Sequence, residues 1–293
     1  MARVTGVHVF VINLDRSHDR LALMEEQSRR VGFAFERFPA IDGLNLPHGL
    51  YPYFLDTNGA IASALTAGEI GCYASHLGIY ERIIQDQIDC ALILEDDVTL
   101  AGDLMPTIAA AISAAPRGWD YIHLSGVFKR PVLSLAELPN DRHLIRHTRL
   151  PVNTGAYLIS RSGAAKMLIL GGRKRPIDME FRYGWLRDLD IYGIYPSPAV
   201  YNDKFSSTIT PARRARIWSP GLVSEAYGWV YRVKKLGLTG YVNCRMAYVR
   251  ECFERHIKRE RHDQAPAQSG HTQQPQVTLV RDFGLRRAQD KAP

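Results

Sequence analysis

The stretch Ala91-Leu92-Ile93-Leu94-Glu95-Asp96-Asp97-Val98 decides how this chain folds. Four apolar residues run directly into three acids, and an apolar run of this length is typical of a strand buried in a parallel sheet. The acids stand at the carboxyl end of that strand, where open α/β sheets bind their ligands. Crowded carboxylates repel one another unless a cation neutralises them, and oxygen ligands suit Mg²⁺ or Mn²⁺ bound with a substrate phosphate. Alternatively, Asp96 or Asp97 caps the helix that follows, and the remaining acids are surface charge.

The sequence on either side of this stretch predicts alternating strands and helices. Residues 7–12 and 33–38 have the apolar character of strands, and the segment between them has a modest apolar face typical of a helix. Strand, helix, strand is the start of a doubly wound α/β sheet. Further strands are predicted at residues 119–124, 155–160 and 191–196, and an edge hairpin near residues 143–149. The fold class is therefore α/β, with a mixed sheet flanked by helices.

Several polar side chains near predicted helix starts are candidates for a binding site. Arg16 and Arg20 lie four residues apart after the first strand and could clamp a diphosphate, or they belong to a solvated helix start. His76 lies on an apolar helical stripe and is either a hydrogen-bonded core histidine or a ligand-facing one. Asp178 follows a proline turn and is either a general base or an N-cap.

The net charge of +7 is unevenly distributed along the 293 residues. Residues 211–262 carry a large excess of Lys and Arg, whereas residues 1–210 are slightly acidic. This distribution argues against a nucleic-acid-binding core and favours an anionic surface as a partner of the C-terminal segment. We expect no Sec-type signal peptide and no membrane span, and we expect the four cysteines to be reduced core thiols of a cytosolic protein.

The basic segment has the pattern of a helix with one apolar stripe, formed by Met246, Val249, Phe253 and Ile257. Such a helix lies on an anionic membrane, or it packs on the domain with a solvated basic back. Residues 263–293 are rich in Gln, Pro and charge, which predicts disorder. The predicted organisation is therefore a domain over 1–210, a basic helical extension over 211–262 and a disordered tail over 263–293.

An ordered set of motifs across residues 5–210 resembles glycosyltransferase family 25, the lipooligosaccharide sugar transferases that are related to collagen galactosyltransferases. The strongest motifs are Val11-Ile12-Asn13-Leu14-Asp15-Arg16-Ser17 with Arg20, Phe38-Pro39-Ala40-Ile41-Asp42-Gly43, Gly68-Glu69-Ile70-Gly71-Cys72-Tyr73-Ala74-Ser75-His76, and Ile93-Leu94-Glu95-Asp96-Asp97. Each motif alone is weak, but their order and spacing together are specific. The segment beyond residue 210 lies outside the resemblance.

The resemblance implies a GT-A fold with a Rossmann-like sheet, a UDP-sugar donor and an acidic motif on Mn²⁺ or Mg²⁺. It places that motif at Glu95-Asp96-Asp97, with Asp97 as a metal ligand and Glu95 reaching the metal or the ribose. It further implies a site for the donor lined by Asn13, Arg16, Arg20, Ala40, Asp42, Glu69, Ser75, His76, Glu95 and Asp96. Asp178 is the expected base, with Glu180 as the second candidate. Residues 44–66 and 126–150 are the expected acceptor-facing segments.

The expected activity is inverting transfer of a hexose, typically galactose from UDP-galactose in β-linkage, to a lipooligosaccharide- or LPS-type acceptor. The acceptor is expected to be lipid-linked, and the protein to be peripheral on the cytoplasmic face of the inner membrane. Two alternatives stay open. One is a non-catalytic nucleotide- or glycan-binding module with a membrane-tethering tail, and the other is the same fold using UDP-glucose or a UDP-N-acetylhexosamine.

Overall fold

A computed structural model describes residues 6–55, 58–60, 65–202, 222–262 and 277–281. The strands are β1 (Val7–Asn13), β2 (Glu36–Pro39), β3 (Cys90–Glu95), β4 (Val98–Leu100), β5 (Tyr121–His123), β6 (Val132–Leu138), β7 (Arg142–His147), β8 (Ala156–Ser160), β9 (Ile191–Tyr195), β10 (Ala199–Tyr201) and β11 (Leu279–Arg281). The α-helices are α1 (His18–Val31), α2 (Tyr51–Phe54), α3 (Ala67–Gln85), α4 (Leu104–Ala114), α5 (Arg161–Met167), α6 (Ile177–Arg182), α7 (Leu222–Leu236) and α8 (Leu238–His262). Short 3₁₀ turns span His48–Leu50 and Gly184–Leu186.

Within the described residues, nine strands form one mixed sheet in the order β11-β6-β7-β9-β5-β8-β3-β1-β2. Strands β2, β1 and β3 are mutually parallel, whereas β8 runs antiparallel between β3 and β5. The carboxyl ends of β1, β2 and β3 therefore lie at the same edge of the sheet as the amino end of β8. That edge holds the acids that follow β3.

The core lies on both faces of this sheet because alternate residues of each strand point to opposite sides. Phe10 and Ile93 belong to a cluster on one face that includes side chains of α3, α5 and α6. Val11 and Leu92 belong to a cluster on the other face that includes side chains of α1 and α4. Burial on both faces explains why β1 and β3 are nearly continuous apolar runs.

The predicted α/β fold class is confirmed, and the structure differs from the sequence-based predictions at three places. The hairpin around residues 143–149 is longer than predicted: β6 and β7 form it, and β7 is an inner strand because it also pairs with β9. Residues 199–201, which follow the last predicted strand, form a further strand, β10, which pairs with β4.

The third difference lies in the segment predicted to be disordered. Residues 279–281 form β11, which pairs in parallel with β6. Leu279 packs against a small apolar cluster that contains Val132. Apolar burial against the sheet edge therefore orders this short piece, in spite of the polar composition around it.

The helical extension is docked on the domain at its α7 end. The Lys235 ammonium donates to Asp190 at 2.7 Å, and the Trp185 indole donates to the Ser224 hydroxyl at 3.2 Å. Leu236 and Cys244 are buried against Leu133 of β6. None of the helices in the described part of the chain combines the length and apolar content that crossing a membrane requires.

Candidate active site

The acid triplet stands at the strand-end edge of the sheet, as its sequence position predicts. Glu95 closes β3, and its backbone N–H donates to the carbonyl of Gly155 at 2.9 Å. The Thr154 hydroxyl donates to Glu95 Oε1 at 2.6 Å. The antiparallel strand β8 therefore supplies a side chain that orients the first of the three acids.

Asp96 is held by side chains from β1 and α1. The Asn13 amide donates to Asp96 Oδ2 at 2.7 Å, and the Arg20 guanidinium donates to Asp96 Oδ1 at 3.1 Å. Both oxygens of Asp96 therefore accept from the protein, and Asp96 is buried. This arrangement suits a residue that positions its neighbours rather than one that binds a ligand directly.

Asp97 has an oxygen that the protein leaves without a partner. Its Oδ1 atom is buried and has no hydrogen-bond partner among the described residues, although Arg20 lies 3.9 Å from the other oxygen. Burial, and next the charges of Glu95 and Asp96, raise the pKa of Asp97 to about 7. An excess of negative charge with an unpartnered carboxylate oxygen fits a divalent cation that prefers oxygen ligands.

His76 contacts the acid triplet from α3. Its Nε2 atom lies 3.5 Å from Glu95 Oε1, and its Nδ1 atom is 2.6 Å from the Tyr157 hydroxyl, which in turn is 2.6 Å from the Tyr80 hydroxyl. Burial disfavours the Glu95 carboxylate, but the contacts with His76 and Thr154 outweigh it and lower the pKa of Glu95. His76 is thus a fully buried, hydrogen-bonded histidine that also faces a candidate ligand.

Cys72 lies one helical turn before His76 and joins the same group. The ligand atoms of Cys72, His76 and Glu95 all lie within 4.8 Å of one another. Burial, and next the charge of Glu95, raise the pKa of the Cys72 thiol well above its ordinary value. Sulfur and imidazole nitrogen beside a carboxylate suit a softer cation such as Zn²⁺, whereas Glu95 and Asp97 offer only oxygen.

The predicted donor-binding residues of β1 and α1 do not all face open space. Asn13 is buried, and its Oδ1 atom accepts from the Arg37 guanidinium at 3.0 Å. Arg20 is directed to the acids, as described above. Arg16 is exposed and acts through its charge on Asp42, whose pKa is lowered first by hydrogen bonds from the Leu44 backbone and Asn45.

Three other predicted donor-binding residues make structural contacts. Glu69 forms a capping box with Thr66: its carboxylate accepts from the Thr66 N–H at 2.9 Å. The Ser75 hydroxyl accepts from the Ile41 N–H at 2.8 Å and donates to the Gly71 carbonyl. The Ala40 N–H donates to the Asn13 carbonyl at 2.9 Å. These contacts hold the start of α3 and the end of β2 at the edge of the site. They explain the three residues structurally and do not indicate that these residues contact a ligand.

The two candidate bases have different surroundings. Asp178 lines an open cleft of about 1140 Å³ together with Asn153 and Tyr201. Burial raises the pKa of Tyr201, and the charges of Glu95, Asp97 and Asp178 raise it further, so the Tyr201 hydroxyl is influenced both by Asp178 and by two of the three acids. Residues 126–127, 129–130 and 149–153 also line the cleft. Most of them belong to the segment 126–150, which was predicted to face the acceptor, and the others follow it directly.

Glu180 is enclosed by three arginines instead. It is buried, and its carboxylate lies 3.4–3.7 Å from the guanidinium groups of Arg173, Arg175 and Arg187. A buried carboxylate with this many cationic partners is a structural ion cluster. The structure therefore separates the two acids and leaves Asp178 as the one that faces the cleft.

Thr154, Tyr157, Arg37 and Cys72 contact the candidate site but were not predicted as site residues. Thr154 and Tyr157 flank or lie on β8, and only the antiparallel pairing of β8 with β3 brings them to the acids. Cys72 had a detectable signal, since it lies four residues before His76 and hence on the same helical face. Arg37 had none, because it stands inside a predicted strand.

Comparison with known proteins identifies the family. A family model described as glycosyltransferase family 25 (LPS biosynthesis protein) matches residues 7–179, a span that includes the acid triplet and Asp178. The matched span contains strands β1 to β8, and with them the acids at the end of β3. The chain belongs to glycosyltransferase family 25.

Curated relatives share the same part of the chain. A glycosyltransferase 25 family member of Drosophila pseudoobscura pseudoobscura is 30% identical over 179 residues, which cover 57% of this chain and 28% of that protein. Human procollagen galactosyltransferase 2 is 27% identical over 187 residues, 58% of this chain and 29% of that protein. The mouse protein named inactive glycosyltransferase 25 family member 3 is 26% identical over 225 residues, 66% of this chain and 37% of that protein. The chain thus spans less than a third of the length of the Drosophila and human relatives.

Among solved structures, the chain is similar to a glycosyltransferase involved in the glycosylation of the major capsid of PBCV-1. That similarity covers 68% of this chain and 94% of the other, with 12% sequence identity and a TM-score of 0.39.

Proposed function

We propose that this protein is a metal-dependent, inverting glycosyltransferase that moves a hexose from a UDP-sugar to a lipooligosaccharide- or LPS-type glycan. The observation that carries the proposal is the acid triplet at the strand ends, in which a buried oxygen of Asp97 has no partner among the residues that the structure describes. The family description names LPS biosynthesis, and relatives named procollagen galactosyltransferases favour galactose as the sugar that is moved. We propose UDP-galactose as the donor and a β-linkage in the product because the family resemblance implies both.

Each residue of the site has a task in this reaction. Mn²⁺ or Mg²⁺ held by Glu95 and Asp97 would supply positive charge to the diphosphate of the donor. Asn13 and Arg20 hold Asp96 and thereby fix the adjacent acids. The exposed Arg16 and Asp42 and the half-buried Ala40 lie at the ends of β1 and β2, where we place the nucleotide.

Asp178 takes the part of the general base. The acceptor hydroxyl oxygen forms a bond to the anomeric carbon while the bond from that carbon to the diphosphate oxygen breaks, and UDP leaves with the electron pair. The carboxylate of Asp178 accepts the hydroxyl proton. Attack from the face opposite the leaving UDP inverts the anomeric carbon.

Hydrolysis of UDP-sugars tests the proposal without knowledge of the acceptor. We expect the protein to hydrolyse UDP-galactose slowly in the presence of Mn²⁺, and Asp97→Asn to lower the rate by about 100-fold or more, as the loss of one electrostatic contact in the transition state does. Asp141→Asn is the matched control, because Asp141 is an exposed acid on the β6–β7 turn. Unchanged hydrolysis and Mn²⁺ dependence in Asp97→Asn would refute the metal-binding role.

Two alternatives are outcomes of the same assay. Preference for UDP-glucose or a UDP-N-acetylhexosamine over UDP-galactose would change the donor and keep the mechanism. Binding of UDP without turnover of any UDP-sugar would favour the non-catalytic binding module, and the relative named as inactive makes that outcome a real competitor.

We also propose that the C-terminal helices hold the protein on an anionic membrane surface, where a lipid-linked acceptor would be within reach. Met246, Val249 and Phe253 are more than half exposed, and Leu238 and Val242 extend the same apolar stripe toward the start of α8. Arg245 and Arg250 flank the stripe; the side chains of Ile257 and the residues around it lie outside the described residues. Apolar side chains flanked by cations suit an anionic lipid surface, and the cytoplasmic face of the inner membrane is the proposed location.

A further inference from the structure

Three arginines stand where two adjoining cavities meet. The cleft that contains Asp178 and a second cavity of about 380 Å³, beside α7 and α8, share Arg130, Arg149 and Arg182. Arg182 follows Asp178 by four residues on α6, so the two side chains project from the same side of that helix. The arginine cluster (Arg130, Arg149 and Arg182) therefore borders the space next to the proposed base.

The arginine cluster has no acidic partner among the described residues, unlike Arg146 and Lys235 of the second cavity. Arg146 and Lys235 both pair with Asp190, at 2.6 and 2.7 Å. Among the described residues, no carboxylate lies within ion-pair distance of Arg130, Arg149 or Arg182. Asp190 thus neutralises Arg146 and Lys235, whereas the arginine cluster keeps its positive charge.

The members of the cluster act on one another electrostatically. Burial lowers the pKa of Arg182, and the nearby charges of Arg149 and Arg130 lower it further, although Asp178 opposes them. The Nε atom of Arg182 is buried and has no hydrogen-bond partner among the described residues. Arg130 lies with its guanidinium carbon 3.6 Å from the centre of the Tyr248 ring, which fixes its position from α8.

We infer that the arginine cluster binds a phosphate group of the acceptor, so that the acceptor is a phosphate-bearing glycan. Guanidinium groups present paired N–H donors that match phosphate oxygens, and a phosphate between these three would relieve their mutual repulsion. The phosphate could be an ester on the sugar or the group that links the glycan to a lipid, since both offer the same oxygens. The assignment of this phosphate to the acceptor rests on the proposed transferase function, whereas the anion site itself does not.

Calorimetric titration of the full chain, with UDP and Mn²⁺ present to fill the donor site, tests this inference. We expect glucose 6-phosphate to bind measurably more tightly than glucose. Arg149→Gln and Arg182→Gln should each weaken glucose 6-phosphate by about tenfold, the effect of losing a charge-assisted contact. Arg29→Gln, at an exposed arginine of α1, should leave it unchanged. Because Arg149 is exposed, its variant reports on binding even if Arg182→Gln folds poorly.

Titration with UDP separates the cluster from the donor site. Equal binding of glucose and glucose 6-phosphate, an unchanged affinity in both arginine variants, or an equal loss of UDP affinity in them would each overturn the inference. Farnesyl phosphate in place of glucose 6-phosphate identifies the source, because tighter arginine-dependent binding of the farnesyl compound indicates a lipid-linking phosphate. Failure of the wild-type protein to hydrolyse any UDP-sugar would refute the proposed function and not the anion site.

Discussion

The acids at the end of β3 are adjacent in sequence but have three different environments. Glu95 is bonded to Thr154 and faces His76, and Asp96 is bonded to Asn13 and Arg20. Within the part of the chain that the structure describes, Asp97 Oδ1 has no partner. The triplet therefore contains an oriented acid, a positioning acid and an acid with an unpartnered oxygen, and this combination supports the proposed cation site.

The two candidate bases give opposite predictions for activity and stability. Asp178→Asn should abolish UDP-sugar turnover in the presence of acceptor and leave the free energy of unfolding nearly unchanged, because Asp178 lines an open cleft. Glu180→Gln should lower the free energy of unfolding by about 3 kcal/mol, because it leaves buried guanidinium charge without its carboxylate. Urea denaturation measures the stability of both variants, and a UDP-sugar turnover assay measures their activity. A stable, inactive Glu180→Gln would reverse the assignment of the base.

The position of Cys72 beside His76 and Glu95 predicts that the protein also binds softer cations. Thiolate and imidazole ligands favour Zn²⁺ over Mn²⁺, so the metal-free protein should bind Zn²⁺, and Cys72→Ser should weaken that binding about 100-fold while Mn²⁺ binding stays unchanged. Competition with a chromophoric chelator measures both affinities. Cys90→Ser is the control, since Cys90 lies at the opposite end of β3 from Glu95; an equal effect of both variants would contradict the site.

The burial of His123 predicts that the folded protein loses stability in acid. Burial lowers its pKa from about 6.5 to about 4 in the folded protein. Between these values the unfolded chain binds the proton and the folded one does not, so stability present above pH 6.5 is lost as the pH falls through this window. The full shift corresponds to about 3 kcal/mol. His123→Gln should flatten the pH dependence of urea unfolding relative to wild type, whereas His48→Gln, at an exposed histidine, should not.

At the scale of elements, the end of β2 and the start of α3 meet without side chains between them. A Cβ atom at Gly71 would lie 2.5 Å from the Ile41 carbonyl oxygen, and one at Gly43 would lie 1.9 Å from the Ala67 carbonyl oxygen. The Ser75 hydroxyl bonds the Ile41 N–H across the same contact. This close approach holds α3, with Cys72 and His76, against the strand ends.

Gly71→Ala should therefore force the helix away from the strand end. We expect a loss of about 1–3 kcal/mol in the free energy of unfolding, as overpacking of a close contact causes, and weaker UDP binding. Gly49→Ala is the matched control, because a Cβ at Gly49 meets no atom within 4 Å. Thermal unfolding and UDP titration measure the two effects, and equal behaviour of the two variants would contradict the role of this contact.

At the scale of the whole molecule, α8 has one face toward the domain and another toward solvent. Cys244 is buried and Tyr248 lines the cleft, whereas Met246 and Phe253 are 65% and 64% exposed. The same helix thus borders the proposed acceptor cleft and carries the apolar stripe. A membrane bound at the stripe would be separated from the cleft by about 10 Å, the width of this helix.

Replacing two residues of the stripe tests membrane attachment. The double variant Met246→Ser with Phe253→Ser should lower binding to vesicles that contain phosphatidylglycerol by about 100-fold or more, because each apolar side chain buried contributes about 1.5–3 kcal/mol. Leu44→Ser removes an apolar side chain that is 79% exposed elsewhere and should have no effect. Sedimentation with vesicles measures binding; equal binding to vesicles of phosphatidylcholine alone would contradict the electrostatic part of the proposal.

The alternation of apolar runs with helical segments was sufficient to predict the α/β class, and the position of Glu95, Asp96 and Asp97 after a buried strand was sufficient to place them at the edge of the sheet. Both are local properties. An apolar run determines which residues are buried, and the direction of the chain determines at which end of the strand the acids stand. The sequence of α8 likewise predicted the apolar stripe, although it left open whether the domain covers it.

Only the tertiary structure decided which polar groups face one another. Thr154 reaches Glu95 because β8 pairs antiparallel with β3, and β11 forms because β6 offers it an open edge. The separation of Asp178 from Glu180, two residues apart on a short helix, depends on arginines from other segments. These contacts join residues far apart in the chain, and no local pattern encodes the partner that a long-range hydrogen bond or ion pair will find.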